Sequence, residues 1–160
     1  MHTWPEPVER VAAVLRAQGV DARIEEFAEG TSTAAAAAEA VGCEAAQIVK
    51  TLVFVCDGEY VLALVPGDRR ADERKVAAEM GAHQVRVARA NEVVDATGFE
   101  PGAVAPFPRR DVVAALIERT LLQHQAVWIG AGSPAHMATL APSDLQRLAG
   151  ARAADLVARS

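Results

Sequence analysis

The sequence predicts an α/β fold in which helices pack around a mixed β-sheet. Two β-rich runs, KTLVFV (50–55) and EYVLALVP (59–66), flank Cys56, Asp57 and Gly58. An Asp-Gly turn between two such runs is a hairpin signal, and it sets antiparallel pairing at the centre of the chain. Further strand-like and helix-like runs intermix without the regular strand–helix–strand order of a doubly wound parallel sheet, which leaves a mixed sheet. Of the 160 residues, 51% are hydrophobic. That is enough for one core and too short a chain for two ordinary domains, so residues 1–160 are expected to form a single domain.

Each element has its own local reason. PVERVAAVLRAQG (7–19) spaces Val8, Val11, Ala12 and Leu15 on one helical face, with Pro7 near the start and Gly19 as a stop. ARIEEF (22–27) reads as a short strand. TSTAAAAAEAVG (31–42) offers Thr31 or Thr33 as N-cap, an alanine run of high helix propensity and Gly42 as its end. CEAAQIV (43–49) adds a helical turn before the hairpin. After it come a helix over DERKVAAEMG (72–81), a strand QVRVA (84–88), and a short helix NEVVDATG (91–98) capped by Asn91 and ended by Gly98. FEPGAVAPFP (99–108) is too rich in Gly and Pro for a regular element and is expected as an ordered loop or broken strand. Strands over DVVAALIE (111–118), AVWIG (126–130) and HMATLA (136–141) follow. A last helix, PSDLQRLAG (142–150), is opened by Pro142, Ser143 and Asp144.

Charge and composition narrow the function. A net charge of −5 argues against broad phosphate neutralisation, which needs a basic face, so any nucleic-acid contact has to be local. Lys50 and Lys75 are the only lysines. Cys43 and Cys56 form neither a CxxC pair nor a zinc spacing, and no signal-peptide pattern opens the chain, so reduced, buried cysteines in a cytoplasmic protein are expected. No apolar run approaches the roughly 18 to 20 residues that span a membrane, and no membrane partner is expected.

Three features carry possible chemistry. Lys50 shares its strand face with Ile48, Leu52 and Phe54, while Val49, Val53 and Val55 occupy the other. An ammonium group in such a strand must find a partner, lose its proton or reach a cavity, unless it snorkels outward from the strand's first residue. In WIGAGSP, Gly130 and Gly132 follow a strand, where bare backbone can approach a ligand or make a tight turn. The segment is neither a dinucleotide fingerprint nor a P-loop. His136, at the head of the next strand, can orient a water or a substrate group. His2, His83 and His124 are scattered. Without HExxH or a Cys/His cluster no metal site is expected, and without GxSxG no covalent catalysis is indicated.

Taken together, four blocks are more specific than any one of them: TAAAAAEAVGCEAAQIVKTLVF, LALVPGDRR, ATGFEPGAVAPF and VWIGAGSPAHMATLAPSDLQRLAGARAADL. In this order they resemble the YbaK/prolyl-tRNA editing family of aminoacyl-tRNA deacylases, from about Thr31 to Leu156. The resemblance implies a single α/β domain with a mixed, mostly antiparallel, partly closed sheet surrounded by helices. It implies hydrolysis of the ester between a wrong amino acid, commonly alanine or cysteine, and proline tRNA, with no cofactor. The family's hallmark lysine corresponds to Lys50, which would project into the active site. Its GxxxP loop corresponds to Gly102 and Pro106, whose backbone would line the acyl pocket, and its glycine-rich loop and histidine correspond to Gly130, Gly132 and His136. The implied partners are the 3′ end of a mischarged tRNA and prolyl-tRNA synthetase; a cluster of Arg69, Arg70, Arg109 and Arg110 would suffice to grip that end. Two positions depart from the family pattern: Pro108 follows Phe107 where glycine is common, and Glu118 replaces an aspartate. Both bear on substrate more than on activity. A non-catalytic tRNA- or synthetase-binding module and a small-molecule binding protein are the alternative classes.

Overall fold

The computed structural model describes residues 4–27 and 33–159; Thr31 and His2 lie outside the described residues. The element order is α1 (Glu6–Ala17), β1 (Arg23–Glu26), α2 (Ala34–Val41), a 3-10 turn (Ala45–Gln47), β2 (Val49–Cys56), β3 (Glu59–Pro66), α3 (Glu73–Met80), β4 (Val85–Val87), α4 (Ala90–Thr97), β5 (Ala114–Glu118), a second 3-10 turn (Arg119–Gln123), β6 (Val127–Ser133), β7 (His136–Leu140), α5 (Pro142–Ala149) and β8 (Ala151–Ala154). The expected mixed α/β architecture is present, with its strands divided between two sheets. One is antiparallel, in the order β1-β7-β6; the other is mixed, in the order β4-β2-β3-β5-β8, where β3-β5 and β5-β8 run parallel. Among the described residues, one parallel bridge, Ile48 to Trp128, joins the two sheets by backbone pairing.

The period-2 alternation of the hairpin decides what each face of the five-stranded sheet covers. Val53, Leu62 and Ala115 pack on Ala96 of α4, and Val49, Leu64 and Ile117 pack against β6, β7, α1 and α5. The opposite face, with Phe54, Val61, Ala63, Val65 and Leu116, packs on Val76 of α3 and on Leu156 and Val157. Lys50 lies on this second face, level with Val65 across the hairpin. The loop after α4 is ordered because Phe99 and Phe107 are each only 1% exposed. Burying a side chain of that size stabilises by about 1.5–3 kcal/mol, which pins both ends of the loop that passes the cavity described below.

Four local expectations change. Helix α4 begins at Ala90, not after Asn91, because the Glu92 carboxylate accepts the Arg89 N–H (2.9 Å) and also pairs with Arg86, completing the cap two residues earlier. Strand β6 runs through the glycines to Ser133, with its register broken between Gly130 and Ser133; a bulge lets pairing continue where a loop was expected, and the turn falls at Pro134 and Ala135. Strand β8 was not anticipated: ARAA has little β propensity, and it forms because β5 offers it a parallel edge. Cys43 is half-buried, whereas Cys56 is buried as expected. Among the described residues, no helix is long and apolar enough to cross a membrane.

Candidate active site

Beside the Ile48–Trp128 bridge, with Ile48 in its wall, lies a cavity of about 250 Å³. Residues 48–52, all consecutive, line it. A cavity lying over one face of a strand would be lined by alternate residues only, so this one lies along the edge of β2. The start of α2 (Thr33, Ala34, Ala37) closes a second side, Gly102 and Val104 a third, and Gly130, Ser133, His136 and Met137 the fourth. Helix α2 is fixed there by Thr33, whose Oγ1 accepts the Ala36 N–H (3.0 Å), and by Gly42 at its left-handed C-terminus.

Lys50 Nζ donates to the Arg69 carbonyl at 2.6 Å, which leaves two of its three N–H groups for a ligand. Burial pushes its pKa below the ordinary lysine value; Asp68 opposes that shift and Arg70 reinforces it. The same side chain borders a second, wider groove on the α3 side, about 710 Å³ in volume, whose polar wall includes Asp68, Arg69, Arg70 and Glu73. Lys50 therefore stands where a small cavity meets an open groove.

His136 is 3% exposed. Its Nδ1 lies 2.6 Å from Ser133 Oγ, its Nε2 lies 3.0 Å from Glu26 Oε2 without the alignment of a hydrogen bond, and the Trp4 ring stands edge-on at 5.6 Å. Gly130 is needed because a Cβ there would come within 2.9 Å of the Val104 carbonyl oxygen, so its bareness brings the loop onto β6. Gly132, with φ +101°, faces the Pro7 carbonyl at 2.6 Å from a built Cβ and seats α1.

The structure thus brings Lys50, Gly102, Gly130 and His136 to one cavity. Pro106 is buried beside it without lining it, and Gly132 serves the α1 contact. The four arginines have different partners: Arg69 donates to the Ala158 carbonyl, whereas Arg109 donates to those of Ala149 and Val112. Arg110 lies against Gly98, and only Arg69 and Arg70 border the groove. Glu118 is 1% exposed and spends its carboxylate on the N–H groups of Thr120 and Leu156, a structural use. Both thiols are pushed up in pKa, first by burial. Sequence reasoning missed both Ser133 and Glu26: Glu26 meets His136 through the pairing of β1 with β7, visible only in the fold, whereas Ser133, three residues before His136, could have been found as its neighbour across a tight turn.

A family model described as an aminoacyl-tRNA editing domain matches residues 28–148. The Bacillus subtilis protein YwhH, described as uncharacterized, is 31% identical over 123 residues, covering 76% of this chain and 78% of that one. A proline–tRNA ligase of Lactobacillus gasseri is 38% identical over 78 residues, 49% of this chain but only 14% of the ligase, so the chain spans a small part of that relative. A crystal structure described as that of a candidate trans-editing enzyme for prolyl tRNA synthetase superposes with a TM-score of 0.91 at 35% identity, covering 98% of this chain and 100% of that one. The chain belongs to the aminoacyl-tRNA editing domain family.

Proposed function

We propose that the protein is a trans-acting deacylase that hydrolyses the ester of a small amino acid, alanine or cysteine, mischarged onto proline tRNA. The observation that carries this reading is the meeting of a small cavity and a groove bordered by Arg69 and Arg70 at one lysine. At about 250 Å³ the cavity is below the usual 300–1,000 Å³ of small-molecule pockets and has the size for one aminoacyl group. The terminal nucleotide then lies in the groove, where local basic contacts serve an acidic protein that grips only the 3′ end. Lys50, with its remaining N–H groups, faces the junction where ester carbonyl and ribose meet. Charge developing on that carbonyl oxygen is what such a donor stabilises. The backbone at Gly102, Val104 and Gly130 forms the size filter, and Pro106 stiffens the loop behind it.

On this reading the site needs water and no cofactor. The ligase similarity suggests prolyl-tRNA synthetase as the source of the error and the cytoplasm as the place of action. The test is to incubate the full chain with alanyl- and cysteinyl-tRNA and follow acid-precipitable label. Loss of label at a rate proportional to enzyme supports the reading. Tight binding without loss of label would make the protein a tRNA-binding module instead.

A further inference from the structure

Resting on the deacylase reading, we propose that Ser133, His136 and Glu26 form a proton relay in which the Ser133 hydroxyl takes the proton of the attacking water. Ser133 lines the cavity and is partly exposed, so its oxygen is within reach of a ligand. Its Oγ accepts the Ala135 N–H at 3.0 Å and stands 2.6 Å from His136 Nδ1. The Glu26 carboxylate lies 3.0 Å from Nε2, off the line of a hydrogen bond, and its negative charge favours the tautomer with the proton on Nε2. Nδ1 is then an acceptor, the serine O–H donates to it, and one oxygen lone pair stays free to face the cavity. A hydroxyl joined to an imidazole that is itself steered by a carboxylate is the arrangement by which a weak base becomes effective. Here both residues border the cavity, the histidine nearly buried beneath the Trp4 ring and the serine the more exposed of the two. Glu26 precedes residues 28–148, so this member of the relay comes from outside the segment the family model matches.

The step balances with water alone. Water oxygen bonds to the ester carbonyl carbon while its proton passes to Ser133 Oγ, and the serine proton moves to His136 Nδ1. The imidazolium so formed stands against the Glu26 carboxylate. On collapse the bond from the carbonyl carbon to the ribose oxygen breaks, and the proton returns through Ser133 to that oxygen, leaving free amino acid and uncharged tRNA.

The test is a double-mutant cycle in the full chain on whichever aminoacyl-tRNA the wild type cleaves. Ser133→Ala and His136→Gln should each lower kcat about 10²-fold with KM unchanged, the loss expected of a general base. The double variant should be no slower than the slower single one, because the two act as a unit. Glu26→Gln, on an exposed side chain, should lower kcat several-fold with the unfolding midpoint unchanged. If His136→Gln does not fold, the cycle of Ser133→Ala with Glu26→Gln decides the question in the same way. Losses that multiply, or a Ser133→Ala variant at wild-type rate, overturn the relay. So does an acyl adduct trapped on Ser133, which would make the serine itself the nucleophile. A wild type inert on every charged tRNA sinks the deacylase reading itself, whereas an active wild type with an unimpaired Ser133→Ala variant sinks only the relay.

Discussion

Replacing Lys50 with methionine removes one ammonium group from the wall shared by cavity and groove while keeping a stem of similar length. Two terms set the effect on stability. The bond from Nζ to the Arg69 carbonyl is lost, and a hydrogen bond from a charged donor is worth about 1.5–3 kcal/mol. Against it stands relief of the desolvation that depresses the lysine pKa, and swapping a partly buried charge for an apolar side chain is often neutral or favourable. The methionine also meets Leu52 and Phe54 on the same face. The terms oppose each other at similar size, so folding stability should change by no more than about 1 kcal/mol. Catalysis has no such compensation: loss of a donor to the developing oxyanion should cost about 10²- to 10³-fold in kcat. Urea denaturation and deacylation of labelled alanyl-tRNA measure the two quantities on one preparation. Turnover near wild type would refute the assignment, and an unfolded variant would make Lys50 structural. The depressed pKa adds a pH signature. Its proton leaves the folded chain before the unfolded one, so between the lowered folded value and the ordinary 10.5 the unfolded state binds more protons and stability from this group rises with pH. The wild type should therefore gain on Lys50→Met as pH climbs through the alkaline range, and a constant difference would contradict the shift.

Gly130→Ala should cost about 1–3 kcal/mol, because its methyl meets a backbone carbonyl at 2.9 Å and the loop at Val104 must move; thermal unfolding and deacylation should fall together. Gly102→Val should destabilise by about 1–3 kcal/mol through backbone strain at φ +83°, since a Cβ there meets nothing within 4 Å, and it should impair cleavage of even small acyl groups; wild-type stability and rate would exclude this loop as a wall. Cys43→Ser with Cys56→Ala should retain most activity, because thiols raised in pKa by burial are poor nucleophiles; complete loss in a folded protein would indicate a thiol mechanism.

The hairpin, the caps at Thr33, Gly42 and Gly98, and the position of Lys50 at the head of β2 were legible in the sequence because each depends on local chemistry: turn type, hydroxyl capping, left-handed glycine, period-2 alternation. What escaped depends on partners distant in sequence. The ARAA strand exists only because β5 leaves an edge open, and the division into two sheets lies in which strands pair, with one bridge at Ile48 and Trp128 between them. Asn91 has the right chemistry for a cap, but Glu92, paired with Arg86 from β4, completes the cap at Arg89 instead. The site divides in the same way. Lys50, Gly102, Gly130 and His136 were found as motif residues and converge on one cavity, whereas the arginines looked like one cluster and the fold separates their partners. Glu26 reaches His136 from β1, far off in sequence, so no spacing could reveal it, whereas Ser133 stands three residues before His136 and becomes its partner only because the chain turns tightly between them.

The central claim is that a small cavity beside Lys50 edits by size. A synthetase pocket shaped for proline cannot strongly reject smaller amino acids, because each missing methylene is worth only about 1–3 kcal/mol, so a second site must admit the small side chain and refuse the ring. The measurement that bears on this most directly is the deacylation rate of alanyl-, cysteinyl- and prolyl-tRNA compared side by side, at one enzyme concentration, on the same proline tRNA. The account predicts rapid cleavage of the alanyl or cysteinyl ester and a prolyl ester that survives as it does in buffer. Prolyl-tRNA cleaved at a rate comparable to the others would contradict it, because an editor that destroys the correct product has no use.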